Sequence, residues 1–215
     1  YWFTPFQADS IMFTVTNERL KLIDTFNVKS RKVGLDTLVL APNQKGALNF
    51  NSPYRIEAST PLVKIDTALI HMMDKDSVPV PFTTTLDSLK SQVDFEFGRE
   101  ANQTYRLKLL PGAISDFFGK SNDTLAYNLT TKSFADYGNL SITIIGAVTY
   151  PLIVQLTDEK GITKLERYAE ESQPFEFNRI EPGKYLIRVI FDTNLNRKWD
   201  TGNYLKKIQP EKVSY

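Results

Sequence analysis

Apolar side chains recur at every second position along much of this chain. In "VDFEF" (93–97) and the first five residues of "YRLKLL" (105–110) they alternate strictly with charged ones. In "IMFTVT" (11–16), "LDTLVLA" (35–41), "LSITII" (140–145), "LIVQL" (152–156), "FEFN" (175–178) and "KYLIRVIF" (184–191) the rhythm is looser, but β-branched and aromatic residues dominate. Successive side chains of an extended backbone point to opposite faces, so this spacing buries one face of a sheet and wets the other. Turn signals such as "APNQKG", "LPGA", "DEKG" and "EPGK" separate the runs. Many short strands at this spacing predict an all-β fold of tandem β-sandwiches, not βαβ units. Two stretches, "TTLDSLKSQ" (84–92) and "KLERYAEES" (164–172), admit a short helix each. Neither carries an apolar stripe over three turns.

With 215 residues the chain is long enough for one large domain or two small ones. Three parts are expected. Residues 1–46 read as a β segment, either the tail of a preceding module or a ribbon packed on the next domain. Forty-six residues without disulfides are a poor independent fold. Residues 47–135 read as one sandwich and residues 137–215 as another, entered through "ADYGN" (135–139) with no low-complexity linker and hence a short, stiff joint. The chain opens without Met, and both ends read as strands, so a piece of a longer or processed protein is expected.

Charge removes several function classes. Lys and Arg total 26 against 25 Asp and Glu, with no basic stripe, so a nucleic-acid partner is not expected. No five like charges run together, and no apolar stretch reaches the 18 residues of a membrane span. Cysteine is absent, which removes disulfides, thiolate metal sites and Cys nucleophiles.

From "LNFNSPYRIEASTPLVKID" (48–66) through "TYRLKLLPGAISDFFGKSNDTLAYNLTT" (104–131), the chain resembles the bacterial Ig-like modules of Bacteroidetes envelope proteins. Tyr105, Leu107, Leu109, Gly112, Ala113, Ile114, Asp116 and Gly119 carry the match. Pro111-Gly112 suits a turn with positive φ. The stretch "EPGKYLIRVIFDTNLNRKWDTGNY" (181–204) resembles a transthyretin-like or carboxypeptidase-regulatory-like sandwich. There Pro182-Gly183 read as the centre of a type II turn, with Tyr185, Ile187 and Val189 alternating inward. The resemblance implies a non-catalytic structural or adhesive module of an exported cell-envelope protein, in the periplasm or at the cell surface as an outer-membrane lipoprotein. Its implied partners are neighbouring domains of the same protein and a glycan or envelope protein.

A second pointer is the Asp-Ser/Thr dipeptide. Nine of fourteen Asp precede Ser or Thr: Asp9, Asp24, Asp36, Asp66, Asp76, Asp87, Asp123, Asp192 and Asp200. Composition alone gives about two. Six continue with an aliphatic residue or Ala (Ile11, Leu38, Ala68, Val78, Leu89 and Leu125) and resemble the O-glycosylation acceptor of exported Bacteroidetes proteins. The competing reading is turn chemistry, in which Asp and Thr oxygens bond nearby backbone. Sequons stand at Asn102, Asn122, Asn128 and Asn139.

One loop invites a ligand. "FDTNLNRKWDTG" (191–202) places Asp192, Asn194, Asn196, Lys198 and Asp200 at positions 1, 3, 5, 7 and 9 of an EF-type calcium register. Arg197 stands where such loops carry Gly, and Asn203 where they carry a bidentate Glu. Calcium would therefore bind at roughly 10⁻⁴–10⁻³ M. Two readings stand: a weak calcium-stabilised loop in a glycan- or peptide-binding module, with Asp192, Asn194, Asn196 and Asp200 as ligands, or a self-capped polar turn with no cofactor, onto which Trp199 packs. An enzyme is not expected. His71, the one histidine, sits among apolar residues in "ALIHMM" (68–73) and reads as structural. The carboxylate pairs Asp74/Asp76 and Glu170/Glu171 read as solvated turns or edges. Tyr1, Trp2, Phe3, Phe6, Phe117 and Phe118 read as packing aromatics, with sugar stacking as the alternative if exposed.

Overall fold

A computed structural model of the chain describes residues 2, 8–29, 37–87, 89, 91–146 and 148–215. Among these the only helical turns are two short 3₁₀ segments, Thr67–Leu69 and Phe134–Asp136, and the rest of the regular structure is strand. The fold is all-β. Two units form: one from the described parts of residues 1–45, 54–98 and 105–129, the other from 46–53, 99–104 and 130–215.

The first unit begins with an antiparallel ribbon, β1 (Ser10–Asn17) and β2 (Leu22–Lys29). Phe13 pairs with Phe26, their rings stacked at 6.1 Å, and Ile11 pairs with Val28. A sandwich follows. Four strands, β3 (Leu40–Pro42), β4 (Tyr54–Ala58), β8 (Gln92–Phe97) and β7 (Phe82–Asp87), lie in that order in one sheet. Three more, β11 (Leu125–Thr130), β9 (Thr104–Leu109) and β6 (Ile70–Asp74), form the other. Lettered along the chain, these seven strands read A-B-E-D and G-F-C, the order of a constant-type immunoglobulin sandwich. β5 (Leu62–Ile65) and β10 (Ile114–Asp116) add a small ribbon within the B–C and F–G connections.

Alternation does the packing. On β9, Tyr105, Leu107 and Leu109 are buried while Thr104, Arg106 and Lys108 face water. Rings meet between the sheets: Phe97 and Tyr105 at 5.1 Å, Tyr54 and Tyr127 at 6.2 Å. Antibody domains pin strands B and F with a disulfide against a Trp on strand C. Here apolar side chains fill that space, Ile56, Leu107 and Met72 among the buried residues of those three strands.

The second unit packs β12 (Gly138–Ile142) and β15 (Phe175–Ile180) with a four-stranded sheet. That sheet runs β14 (Thr163–Ala169), β13 (Leu152–Thr157), β16 (Leu186–Phe191), β17 (Val213–Ser214). Leu152, Val154 and Leu156 of β13 join Ala169, Phe175, Phe177 and Ile180 in one core. The opposite face of β13 is covered too. Its Gln155 donates to Glu166 on β14 and accepts from Arg188 Nε on β16 at 2.6 Å, so the buried amide is satisfied across three strands. Residues 46–53 belong to this unit because the Asn51 amide donates to the carbonyls of Asn178 and Arg179. The Arg179 guanidinium lies 4.5 Å from the Phe134 ring centroid and 5.3 Å from that of Phe50.

Several expectations change. Neither admitted helix forms. Residues 82–87 are strand β7, where three successive threonines favour extended backbone. Residues 163–169 are strand β14, because β13 offers it a full ladder and Arg167 covers the Phe177 ring at 5.3 Å. Of the strand expected at 35–41, residues 35 and 36 lie outside the described set, and ladder pairing begins only at Leu40. Gly112 adopts the expected positive φ, +85°. Gly183 does not, so the Pro182-Gly183 turn is not type II. Tyr185 instead folds back over Gly183 and donates its hydroxyl to the Glu181 carbonyl at 2.8 Å. Tyr185 and Val189 pack on the core, while Ile187 stays 40% exposed.

The core makes a first prediction. Phe177→Ala leaves a cavity in a fully enclosed site and should cost about 3–5 kcal/mol in urea denaturation, whereas Thr14→Ala on the exposed ribbon should cost under ~0.5 kcal/mol. The β13–β14 turn makes a second. Asp158 accepts the amide of Ile162 at 2.9 Å, pairs with Lys164 at 3.2 Å and accepts the amide of Lys160 at 3.0 Å, in that order holding its carboxyl below the usual range. A depressed folded pKa contributes stability above the unfolded carboxyl's pKa and loses it as pH falls through the folded value. Protection factors at Lys160 and Ile162 should therefore hold from neutral pH down to about pH 4 and fall on further acidification.

Candidate functional site

The loop after β16 is built around one enclosed carboxylate. Asp192 is 1% exposed. Its amide donates to the Pro151 carbonyl at 3.2 Å, which fixes the residue against the start of β13. Its oxygens accept the amides of Asn196 (3.1 Å) and Arg197 (2.9 Å). Asn194 Oδ1 accepts the Asn196 amide at 3.1 Å, and Asn196 Oδ1 accepts the Lys198 amide at 2.8 Å. The amide groups of Asn194 and Asn196 both donate to Asp200 Oδ2. All four residues expected as a site thus belong to one network: Asp192 turns to the backbone, and the other three meet one another.

Arg197 occupies the position where a calcium loop carries Gly, and it makes the sharp turn regardless, at φ +61°. Leu195 is also left-handed, at +65°. Such geometry costs an L-residue about 1–2 kcal/mol. For Arg197 the cost is offset by its guanidinium, 4.5 Å from the Tyr168 ring centroid and 3.3 Å from Glu170.

Glu211 is the residue that sequence reasoning missed. Oε1 accepts the Thr193 amide at 2.7 Å and the Thr193 hydroxyl at 3.1 Å, and Oε2 accepts the Asp200 amide at 3.1 Å. In return the Glu211 amide donates to the Asp200 carbonyl, and its carbonyl accepts Trp199 Nε1–H at 3.2 Å. Position 12 of the register, Asn203, is a hairpin residue, and the missing Glu arrives instead from the returning segment. Gly202 permits the return: a Cβ there would lie 2.9 Å from the Ile208 carbonyl oxygen and 3.0 Å from Pro210. The legible trace was a Glu after Gln-Pro, with no spacing rule to connect it to Asp192.

A second buried carboxylate explains the motif at 112–119. Asp116 accepts the Thr60 hydroxyl at 2.8 Å and the amides of Phe118 (2.9 Å) and Lys120 (2.7 Å). Asn122 accepts the Ile114 amide at 2.7 Å and donates to the carbonyls of Leu110 and Asp123. That buried side chain cannot carry a glycan, whereas Asn102, Asn128 and Asn139 are exposed.

The remaining singled-out residues do not gather. His71 is exposed on β6, opposite Lys108. Asp74 accepts the amides of Asp76 (2.9 Å) and Val78 (2.8 Å) in a turn. Glu170 pairs with Arg197, and Glu171 is exposed. Trp2 lies edge-on to Phe118 at 6.0 Å, and Phe118 to Phe117 at 5.4 Å. Tyr1, Phe3, Phe6 and Asp36 lie outside the described residues. Among the described residues no group of three or more His, Cys, Asp or Glu is placed to hold a metal ion. No helix there is long and apolar enough to cross a membrane, which says nothing of a β-barrel.

No family model and no curated protein matches the chain. Among solved structures it is similar to native alpha-2-macroglobulin from Escherichia coli, spanning domains MG0-NIE-MG1. The likeness covers 83% of this chain and 70% of that one at 10% identity and a TM-score of 0.35. At that distance it carries no functional reading.

Glu211→Gln presents an amide where backbone N–H groups now find an acceptor, and should cost about 1–3 kcal/mol. Hydrogen exchange at Thr193 and Asp200 should quicken together; protection unchanged at both would dissolve the clamp.

Proposed function

We propose that the chain is a non-catalytic structural or adhesive module of an exported cell-envelope protein, held in the periplasm or at the cell surface as part of a lipoprotein. One observation carries the reading. The side chains with the most chemical capacity, Asp116, Asp192 and Glu211, are buried and give their oxygens to backbone amides and neighbouring hydroxyls. Groups committed this way shape turns and are not free to abstract a proton or attack a substrate. The envelope location is supported by the resemblance at 48–131 and by the Asp-Ser/Thr set, in which Thr25, Thr67, Ser77 and Thr124 are exposed. Its partners are then the neighbouring domains of the same protein, and a glycan or envelope protein at a loop end. Fractionation of cells expressing the tagged full-length product tests this. Recovery in the envelope fraction is expected, and recovery in the cytosol would overturn it.

A second reading keeps calcium, favoured by Asn194, Asn196 and Asp200 converging on one point beside the Glu211 clamp. Rotating the two amides by half a turn would present three oxygens there. It would also take acceptors from the Asn196 and Lys198 amides, which makes a tight site inconsistent with this loop. With a dissociation constant of about 10⁻⁴–10⁻³ M, ten-millimolar calcium would add about 1.4–2.7 kcal/mol and raise the melting temperature by about 3–10 °C. Calorimetry with and without the ion decides, since an unmoved transition removes calcium while leaving the module reading intact.

A further inference from the structure

The segment after the Asp192–Glu211 loop ends in a small hairpin whose tip is out of keeping with a soluble surface. Tyr204 is 96% and Leu205 91% exposed, and Lys206 and Lys207 follow directly. Loose chain is not the cause. Asn203 and Ile208 exchange both backbone bonds, at 2.8 and 3.0 Å. The Lys206 amide donates to Asn203 Oδ1 at 3.0 Å, and the Lys207 amide to the Tyr204 carbonyl at 3.2 Å. Lys207 closes the turn at φ +54°. Below the tip, Gly202 is pressed against Ile208 and Pro210, and Asp200 is tied to Glu211. The fold therefore holds an aromatic and an aliphatic side chain outward on a braced stem, at the cost of leaving both in water.

We propose that this tip is a membrane-surface contact, with Tyr204 and Leu205 entering the interface of an anionic bilayer and Lys206 and Lys207 meeting its phosphates. Charge complementarity selects the occupant. Residues 203–208 carry two ammonium groups and no carboxylate, and among the described residues neither lysine is ion-paired. An acidic soluble protein would answer the lysines but would leave the apolar pair without a mate. A bilayer answers both at once: acyl boundary for Leu205, headgroup level for the amphipathic Tyr204 ring, anionic phosphate for the lysines. The inference is independent of the calcium reading and does not need the module to be adhesive.

Sedimentation of the full chain with vesicles tests it. Phosphatidylglycerol–phosphatidylcholine vesicles should bind the chain, and vesicles of phosphatidylcholine alone should bind it far less. Lys206→Gln and Lys207→Gln should each weaken anionic-vesicle binding about fivefold at low salt. Leu205→Ser should weaken it about tenfold at any salt. The paired Lys206→Arg, Lys207→Arg variant should bind like the parent. These side chains are exposed, so circular dichroism should be unchanged in all four, which separates lost binding from lost fold. The proposal is overturned by no binding to anionic vesicles, as a purely proteinaceous partner would give. Equal binding to both vesicle types, or glutamine and serine variants that bind like the parent, would overturn it as well.

Discussion

Burial of one side of each sandwich sheet, without a covalent cross-link, is the constraint on which the rest of this molecule depends. The chain has no Cys, so the two sheets of the first sandwich are joined by contact alone. Ile56, Met72, Val93, Phe95, Leu107 and Leu129 supply that contact from both sheets. Close-packed apolar side chains give about 1.5–3 kcal/mol each against the unfolded chain, enough in aggregate to replace a disulfide. The largest fully buried side chains are accordingly aromatic or aliphatic, Tyr54, Phe95 and Phe177 among them. On the opposite face of β13 the buried Gln155 has partners on both neighbouring strands.

That exclusion moves the polar work to the connections, and there a single device recurs. A carboxylate at the start of a turn accepts amides two to five residues ahead. Asp74 takes Asp76 and Val78; Asp116 takes Phe118 and Lys120; Asp158 takes Lys160 and Ile162; Asp192 takes Asn196 and Arg197. Each pair of bonds closes a turn that links strands whose register must be kept. Part of the Asp-Ser/Thr excess follows from the same need: Asp66 caps a 3₁₀ turn through the Ala68 amide, and Thr193 gives its hydroxyl to Glu211. The loop resembling a calcium register is the most elaborate case of this device, since its Asx bonds at positions 1, 3 and 5 order the backbone.

Strand alternation was legible in the sequence because it is local. A reader of "YRLKLL" knows which side chains go inside, and β9 places them there. The Asp192, Asn194, Asn196 and Asp200 set was legible for the same reason. What was not legible depends on distant chain. Glu211 reaches Thr193 across 18 positions, and no periodicity announces that contact. β14 reads as weakly helical until β13 is there to pair with it, and a ladder outweighs propensity by supplying a partner for every backbone group. The Pro182-Gly183 turn misled because Pro-Gly fits a type II turn in isolation, whereas here the Tyr185 ring decides how the backbone folds.

Arg197 shows how far this dependence on distant partners extends. Its left-handed backbone is unfavourable in itself. It persists because Asp192, held against Pro151, takes its amide, and because Tyr168 and Glu170 at the end of β14 receive its guanidinium. The order of the loop is thus imposed by two strands, β13 and β14, that lie well before it in sequence. The same order passes on through Asp200 and Glu211 to the stem beneath Tyr204 and Leu205. A loop free to relax would fold those side chains back against the protein. One fixed from behind cannot, so the exposure of the tip is a consequence of how firmly the sheet holds its base.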